Sequence, residues 1–250
     1  MRRYEYRVPD SHLNLHYTLF SGQCFGWDAD KDGFRGFFRW KGATRGASLR
    51  RKGEMILSET DAPEDWFWEY FNLSININDV YASFPNDPKL NEAVKRFRGM
   101  RVLRQDPWEV TVSFVISQNN NIKRIRLILR RMISEFGRFP EPEDLASEDA
   151  LLRLGLGYRA RYLVRISEKV LRGEFNPETH QSKASLLCLP GVGEKVARCI
   201  LLYGYGENSA FPIDRWIKRF GGPKIDYGPY AGWAQLYLYV MAREGVREPG

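Results

Sequence analysis

The stretch Leu189-Pro190-Gly191-Val192-Gly193-Glu194-Lys195 narrows the folds open to this chain more than any other. It lies between two apolar runs of helical spacing, Ser185 to Leu189 and Val196 to Tyr203, so it reads as a tight hairpin joining two helices. Gly191 and Gly193 permit positive φ and a close approach of another backbone. The amide hydrogens that open the second helix then point outward, ready for an anion. Such a hairpin can grip a DNA phosphate without reading a base. Lys195 falls in the first helical turn, where the helix dipole disfavours the ammonium form, and an uncharged lysine is a nucleophile. Asp214, in Phe211-Pro212-Ile213-Asp214, is a carboxylate that the fold can bring back to that amine. The bland alternative is a solvated lysine beside a common Gly-x-Gly turn.

The rest of the chain weighs on that choice. Net charge is +7, with 38 Lys+Arg against 31 Asp+Glu, which suits a polyanionic partner. The three cysteines, Cys24, Cys188 and Cys199, form no Cys-x-x-Cys, and a four-cysteine zinc or iron–sulfur site is excluded. Their scarcity points to a reduced, intracellular compartment. Met1 to Asp10 is polar and charged, unlike a signal peptide, and no apolar run approaches the roughly 18 residues of a membrane span.

Residues 1–60 read as a β domain. Leu13 to Phe20, Phe34 to Trp40 and Glu54 to Ser58 are strand-like, with turns at Asp32-Gly33 and Lys41-Gly42. Residues 61–250 read as helical. Asp106-Pro107 gives a carboxylate cap followed by proline at the first helical position, and the helix after it, Trp108 to Ile116, is apolar enough to be central. A helix over Ile122 to Phe136 ends at Gly137; its basic face is either solvated or turned to DNA. Asn119-Asn120-Asn121 before it is too polar for a core and too short for a linker. Tyr158, flanked by Gly157 and Arg159, is either a wedge for stacked bases or an ordinary buried tyrosine. Gln235 and Tyr239 share one face of the last helix, Pro229 to about Arg243, as an amide and a ring suited to a base. The class is α+β: an antiparallel β domain, then a helical core with its hairpin at about 185–204.

Several of these segments, taken in order, resemble the 8-oxoguanine DNA glycosylases of the helix-hairpin-helix superfamily that carry an N-terminal β domain. They are Ser21 to Trp27, Arg101 to Pro107, Asn119 to Ile122, Leu154 to Tyr162, Leu189 to Ala197 and Gly228 to Gln235, spanning nearly the whole chain. The resemblance implies a two-subdomain helical core, a monomer, and double-stranded DNA containing 8-oxoguanine as partner. It implies Lys195 as nucleophile and Asp214 as assisting carboxylate, the Gly22 carbonyl as acceptor for the lesion's N7 hydrogen, and Gln235 on its Watson–Crick edge. Cys199 and Tyr239 would sandwich the base; Asn119, Arg124 and Arg159 would attend the orphaned cytosine, with Tyr158 wedged beside it. Gly191 and Gly193 would meet the DNA backbone, and the carbonyls of Leu187, Leu189 and Val192 would hold a monovalent cation, with no other cofactor required. Trp216 departs from the pattern, standing where family members carry a DNA-contacting histidine, and Tyr239 stands where phenylalanine is common. Two rivals stay open: a hairpin glycosylase for another base, whose usual four-cysteine cluster is missing, and a non-catalytic binder of damaged DNA.

Overall fold

The computed structural model describes residues 1–219, 221–222 and 225–245. The expected helical part reaches residue 250, of which 246–250 lie outside the described residues. Five strands, β1 (Arg2–Arg7), β2 (Trp27–Ala29), β3 (Phe34–Trp40), β4 (Ala43–Lys52) and β5 (Met55–Thr60), make one antiparallel sheet in the order β1-β5-β4-β3-β2. Alternation explains β1, where Tyr4 and Tyr6 turn inward between the exposed Arg3, Glu5 and Arg7. The sheet's covered face stacks Trp27 and Phe38 on Trp66 and Tyr70, with the Phe38 and Trp66 rings 4.7 Å apart.

One expected strand is a helix. Leu13 to Phe20 contains α1 (Leu15–Phe20), capped by the Asn14 side chain, which accepts the Tyr17 N–H at 2.9 Å. Leu15, Thr18 and Leu19 are its buried positions, a 3.6-residue spacing that a short run of leucines hides.

The helical part begins with α2 (Trp66–Tyr70), which covers the sheet, and continues through α3 (Ile77–Ala82) and α4 (Pro88–Arg96). α5 (Pro107–Ser117) runs through the middle, its residues Trp108 to Ile116 all buried. Asp106 caps it by accepting the N–H groups of Trp108 and Glu109. Around it lie α6 (Ile122–Phe136), α7 (Glu148–Arg153), α8 (Ala160–Leu171), α9 (Lys183–Leu187), α10 (Glu194–Cys199), α11 (Arg215–Arg219) and α12 (Ala231–Glu244). α6 stops at Gly137, whose φ of 73° is the left-handed geometry that ends helices.

Sheet and helices meet over a buried ionic cluster. The Arg39 amide donates to Glu109 Oε2 at 2.5 Å, and its guanidinium lies 3.7 Å from Asp106 and 3.1 Å from Glu141. Burial pushes the Glu109 carboxyl from its ordinary 4.5 up to about 8; the Arg39 amide opposes and the Asp106 charge adds to the rise. The unfolded chain therefore loses this proton first as pH rises, and the cluster's contribution, complete below about pH 4.5, declines toward about pH 8. Glu109→Gln, which keeps an acceptor for the Arg39 amide, should gain stability relative to the parent as pH is raised across that window. Denaturant midpoints at several pH values test this; a constant difference would show that Glu109 does not titrate there.

Candidate active site and DNA interface

The hairpin forms where the sequence places it, with shifted ends. α9 closes at Leu187, the turn runs over residues 188–193, and α10 continues beyond Cys199 into a π turn over Ile200–Gly204. Gly191 has φ 76°, and a Cβ there would lie 2.4 Å from the Tyr162 ring, so no side chain fits. Gly193 differs from expectation: its φ of −98° is extended, open to any residue. A Cβ on Gly193 would meet nothing within 4 Å, so the flank of the turn at the start of α10 is open.

Beside the hairpin is a cleft of about 520 Å³ whose walls include Gly22, Phe114, Ser117, Lys195, Asp214 and Tyr239. Lysine, carboxylate and the Gly22 turn, far apart in sequence, thus open on one space. Lys195 Nζ lies 3.5 Å from Ser117 Oγ and 4.8 Å from the centre of the Phe114 ring. Asp214 caps α11: its Oδ1 accepts the N–H groups of Trp216 and Ile217, both at 2.9 Å. That cap fixes one oxygen of a carboxylate that lines the cleft. Trp216 also lines the cleft, with the Arg215 and Arg219 guanidinium groups 5.3 and 5.8 Å from its ring.

Cys199 and Gln235 are buried and are not among the residues that line the cleft. Burial pushes the Cys199 thiol up to about 11; the Lys195 charge opposes this and the Asp214 charge adds to it. Gln235 Oε1 is a buried acceptor with no protein partner among the described residues. Tyr239 is partly exposed, its phenol raised by burial and lowered by the Arg243 charge.

The asparagine run divides its work. Asn120 Nδ2 donates to the Ile116 carbonyl at 3.2 Å, closing α5, and Asn121 caps α6 by accepting the Arg124 N–H at 2.9 Å. Asn119, held at φ 47°, is left to reach Tyr158 OH at 3.2 Å. Tyr158 is 43% exposed, so it is not the ordinary buried tyrosine. Arg159 is 6% exposed, its guanidinium 4.5 Å over the Tyr158 ring, and it donates to the carbonyls of Leu156, Gln118 and Asn119. Arg124 is exposed and donates to the Gly155 carbonyl at 3.4 Å. Asn119 to Asn121, Arg124, Arg159 and Arg215 line a second, basic hollow of about 540 Å³.

Sequence reasoning misses Ser117, Phe114 and Arg243. A serine, a phenylalanine and a late-helix arginine carry no local signal, and only their contacts single them out. Two motif residues turn out to be scaffolding for Gly22. The Gln23 amide donates to the Thr18 and Arg101 carbonyls and accepts the Leu103 N–H. The buried Arg101 donates to the carbonyls of His12, Phe71, Asn72 and Ile75.

A lysine-bearing hairpin on a helical core, with a carboxylate opposite and basic hollows around it, has the form of a base-excision repair protein. The superfamily model described as HhH-GPD base excision DNA repair protein matches residues 112–222, and that of the 8-oxoguanine DNA glycosylase N-terminal domain matches residues 5–111. The chain is 30% identical to a probable N-glycosylase/DNA lyase of Methanothermobacter thermautotrophicus, over 95% of this chain and 96% of that one. It is 29% identical to the N-glycosylase/DNA lyase OGG1 of Arabidopsis thaliana, over 94% of this chain and 78% of the other. Clostridium acetobutylicum 8-oxoguanine glycosylase/lyase, solved with duplex DNA bearing cytosine opposite 8-oxoguanine, superposes with a TM-score of 0.82 at 27% identity, covering 92% of each chain. The chain belongs to the 8-oxoguanine DNA glycosylase family of the helix-hairpin-helix superfamily, in the branch with an N-terminal domain.

Proposed function

We propose that this protein removes 8-oxoguanine from duplex DNA through a covalent lysine intermediate and then cuts the strand. The enzyme is a DNA glycosylase with lyase activity, acting in base-excision repair on double-stranded DNA that holds the oxidised base. The observation that carries the mechanism is the single cleft onto which Lys195, Asp214 and Gly22 all open. The damaged nucleotide flips into it, since an atom within the stack is out of reach. The Lys195 amine attacks C1′ and the bond to the base breaks, its electron pair leaving with the base. Asp214 stabilises the positive charge that develops on the sugar. Opening of the sugar gives a Schiff base, and loss of a C2′ proton expels the 3′ phosphate by β-elimination. Borohydride reduction should capture wild-type enzyme on an 8-oxoguanine duplex as a covalent adduct. Lesion release with no adduct would overturn the covalent route, and binding with neither would leave a damage-binding protein.

The hairpin carbonyls of Leu187, Leu189 and Val192 offer hard oxygen donors of the kind alkali cations take. Leu189 O accepts the Val192 N–H at 3.1 Å and retains its second lone pair, so the turn is compatible with such an ion. A bound cation would add positive charge where a phosphate docks.

Base reading should fail more sharply at Gln235 than at Tyr239. The buried Gln235 Oε1 is without a protein partner among the described residues, as expected of a group that pairs with the lesion edge. Gln235→Ala leaves that edge unpaired, a loss of roughly 1–3 kcal/mol in lesion affinity. Tyr239→Phe keeps the ring and should be nearly silent; a large loss in single-turnover excision would show that the hydroxyl is used.

Arg159→Ala should narrow the difference in rate between lesions opposite cytosine and opposite adenine. A guanidinium donates to the O2 and N3 acceptors of cytosine, whereas the Watson–Crick edge of adenine sets an amino donor beside its one acceptor. Its present partners are the Gln118, Asn119 and Leu156 carbonyls, so it must exchange at least one of them for the orphaned base. Single-turnover rates at saturating enzyme on the two duplexes decide; equal losses on both would reduce Arg159 to a loop anchor.

A further inference from the structure

We propose that Arg243 is a positioning residue of the lesion slot, fixing the turn that carries Gly22 at a set distance from α12. The inference rests on the 8-oxoguanine reading above and adds a residue to it. α1 ends at Phe20, where the last carbonyls of a helix need donors. Those donors come from the far end of the chain: Arg243 Nη2 donates to the Phe20 carbonyl at 2.9 Å and Nη1 to the Ser21 carbonyl at 3.0 Å. The next residue is Gly22, at φ 95°. A Cβ there would lie 3.2 Å from Arg243 Nη1 and 3.2 Å from the Tyr239 hydroxyl, so both groups close over the glycine and a side chain in its place would press on them. The same guanidinium lies 5.4 Å from the Tyr239 ring centre, one helical turn back along α12.

The slot therefore has two walls of different origin, the Gly22 turn and α12, and Arg243 is the strut between them. Its fork explains the residue type. Two nitrogens in one rigid plane hold two consecutive carbonyls, whereas the single ammonium of lysine would hold one and could swivel. The charge also sits where the negative end of α1 points. Arg126 braces the turn from another side, its guanidinium 4.8 Å from the Phe20 ring centre.

The test compares two substrates that share the lysine chemistry and differ in their need for the slot. On an 8-oxoguanine:cytosine duplex the base must be read before it leaves; on a preformed abasic site there is no base to read. Arg243→Ala should slow single-turnover excision on the order of a hundredfold, the scale that a misplacement of about 1 Å produces. The fractional loss in strand cleavage at the abasic site should be smaller by about tenfold or more, with Arg243→Lys between wild type and alanine on the lesion duplex. Equal fractional losses on both substrates would make Arg243 a general support of the fold, and unchanged excision would show that the turn stands without it; either overturns the proposal. Should the alanine variant fail to fold by its melting curve, Arg243→Lys and Arg243→Gln carry the same comparison. Failure of the underlying reading looks different, since the wild type itself would then leave 8-oxoguanine in place.

Discussion

Lys195→Gln should abolish base release and strand cleavage together, while the lesion duplex is still bound. On the proposed route both steps pass through one amine, so no residual route should survive for either. Glutamine retains a polar group near Ser117 Oγ, the 3.5 Å neighbour of the amine, and an amide carries no nucleophilic nitrogen. With binding spread over the hairpin and the basic hollow, as proposed, the loss of one charge should weaken it only modestly. The readouts are single-turnover excision, cleavage at a preformed abasic site, borohydride capture, and affinity for the uncleaved lesion duplex. Capture by the variant would identify another amine as nucleophile. A collapse of affinity in step with activity would make Lys195 a binding residue.

Asp214→Asn should slow excision on the order of a hundredfold or more, the loss typical when one preorganised electrostatic group is removed. The structure makes this substitution unusually clean. The cap on α11 uses a single oxygen, Oδ1, for both the Trp216 and Ile217 amides, and asparagine caps helices as well as aspartate does. What disappears is the negative charge. Melting temperature should therefore hold while the single-turnover rate falls. If the rate holds as well, Asp214 is a helix cap and nothing more.

Local features of the chain were legible wherever the residues concerned lie close in sequence. The Asp106-Pro107 start of α5 and the Gly137 stop of α6 declare themselves through capping chemistry. α1 was misread because Leu13, Leu15 and Leu19 satisfy a two-residue period about as well as a helical one, and the Asn14 cap settles it. Of the three asparagines, two serve helix ends and one reaches Tyr158; a single sequence gives them identical weight. The surroundings of the amine were illegible for a different reason: Ser117 is 78 positions from Lys195, and nothing in either segment announces the other.

The bond between Arg243 and the Ser21 carbonyl joins residues 222 positions apart, nearly the full length of the chain. Lys195 and the hairpin amides belong to one short stretch and are neighbours as soon as that stretch is made. The proposed slot beside them is complete only once the Gly22 turn and α12 have met. With the roles proposed above, the Lys195 amine is synthesised before the helix that would help to choose a base. With those roles, selectivity would wait for α12 to pack against the Gly22 turn.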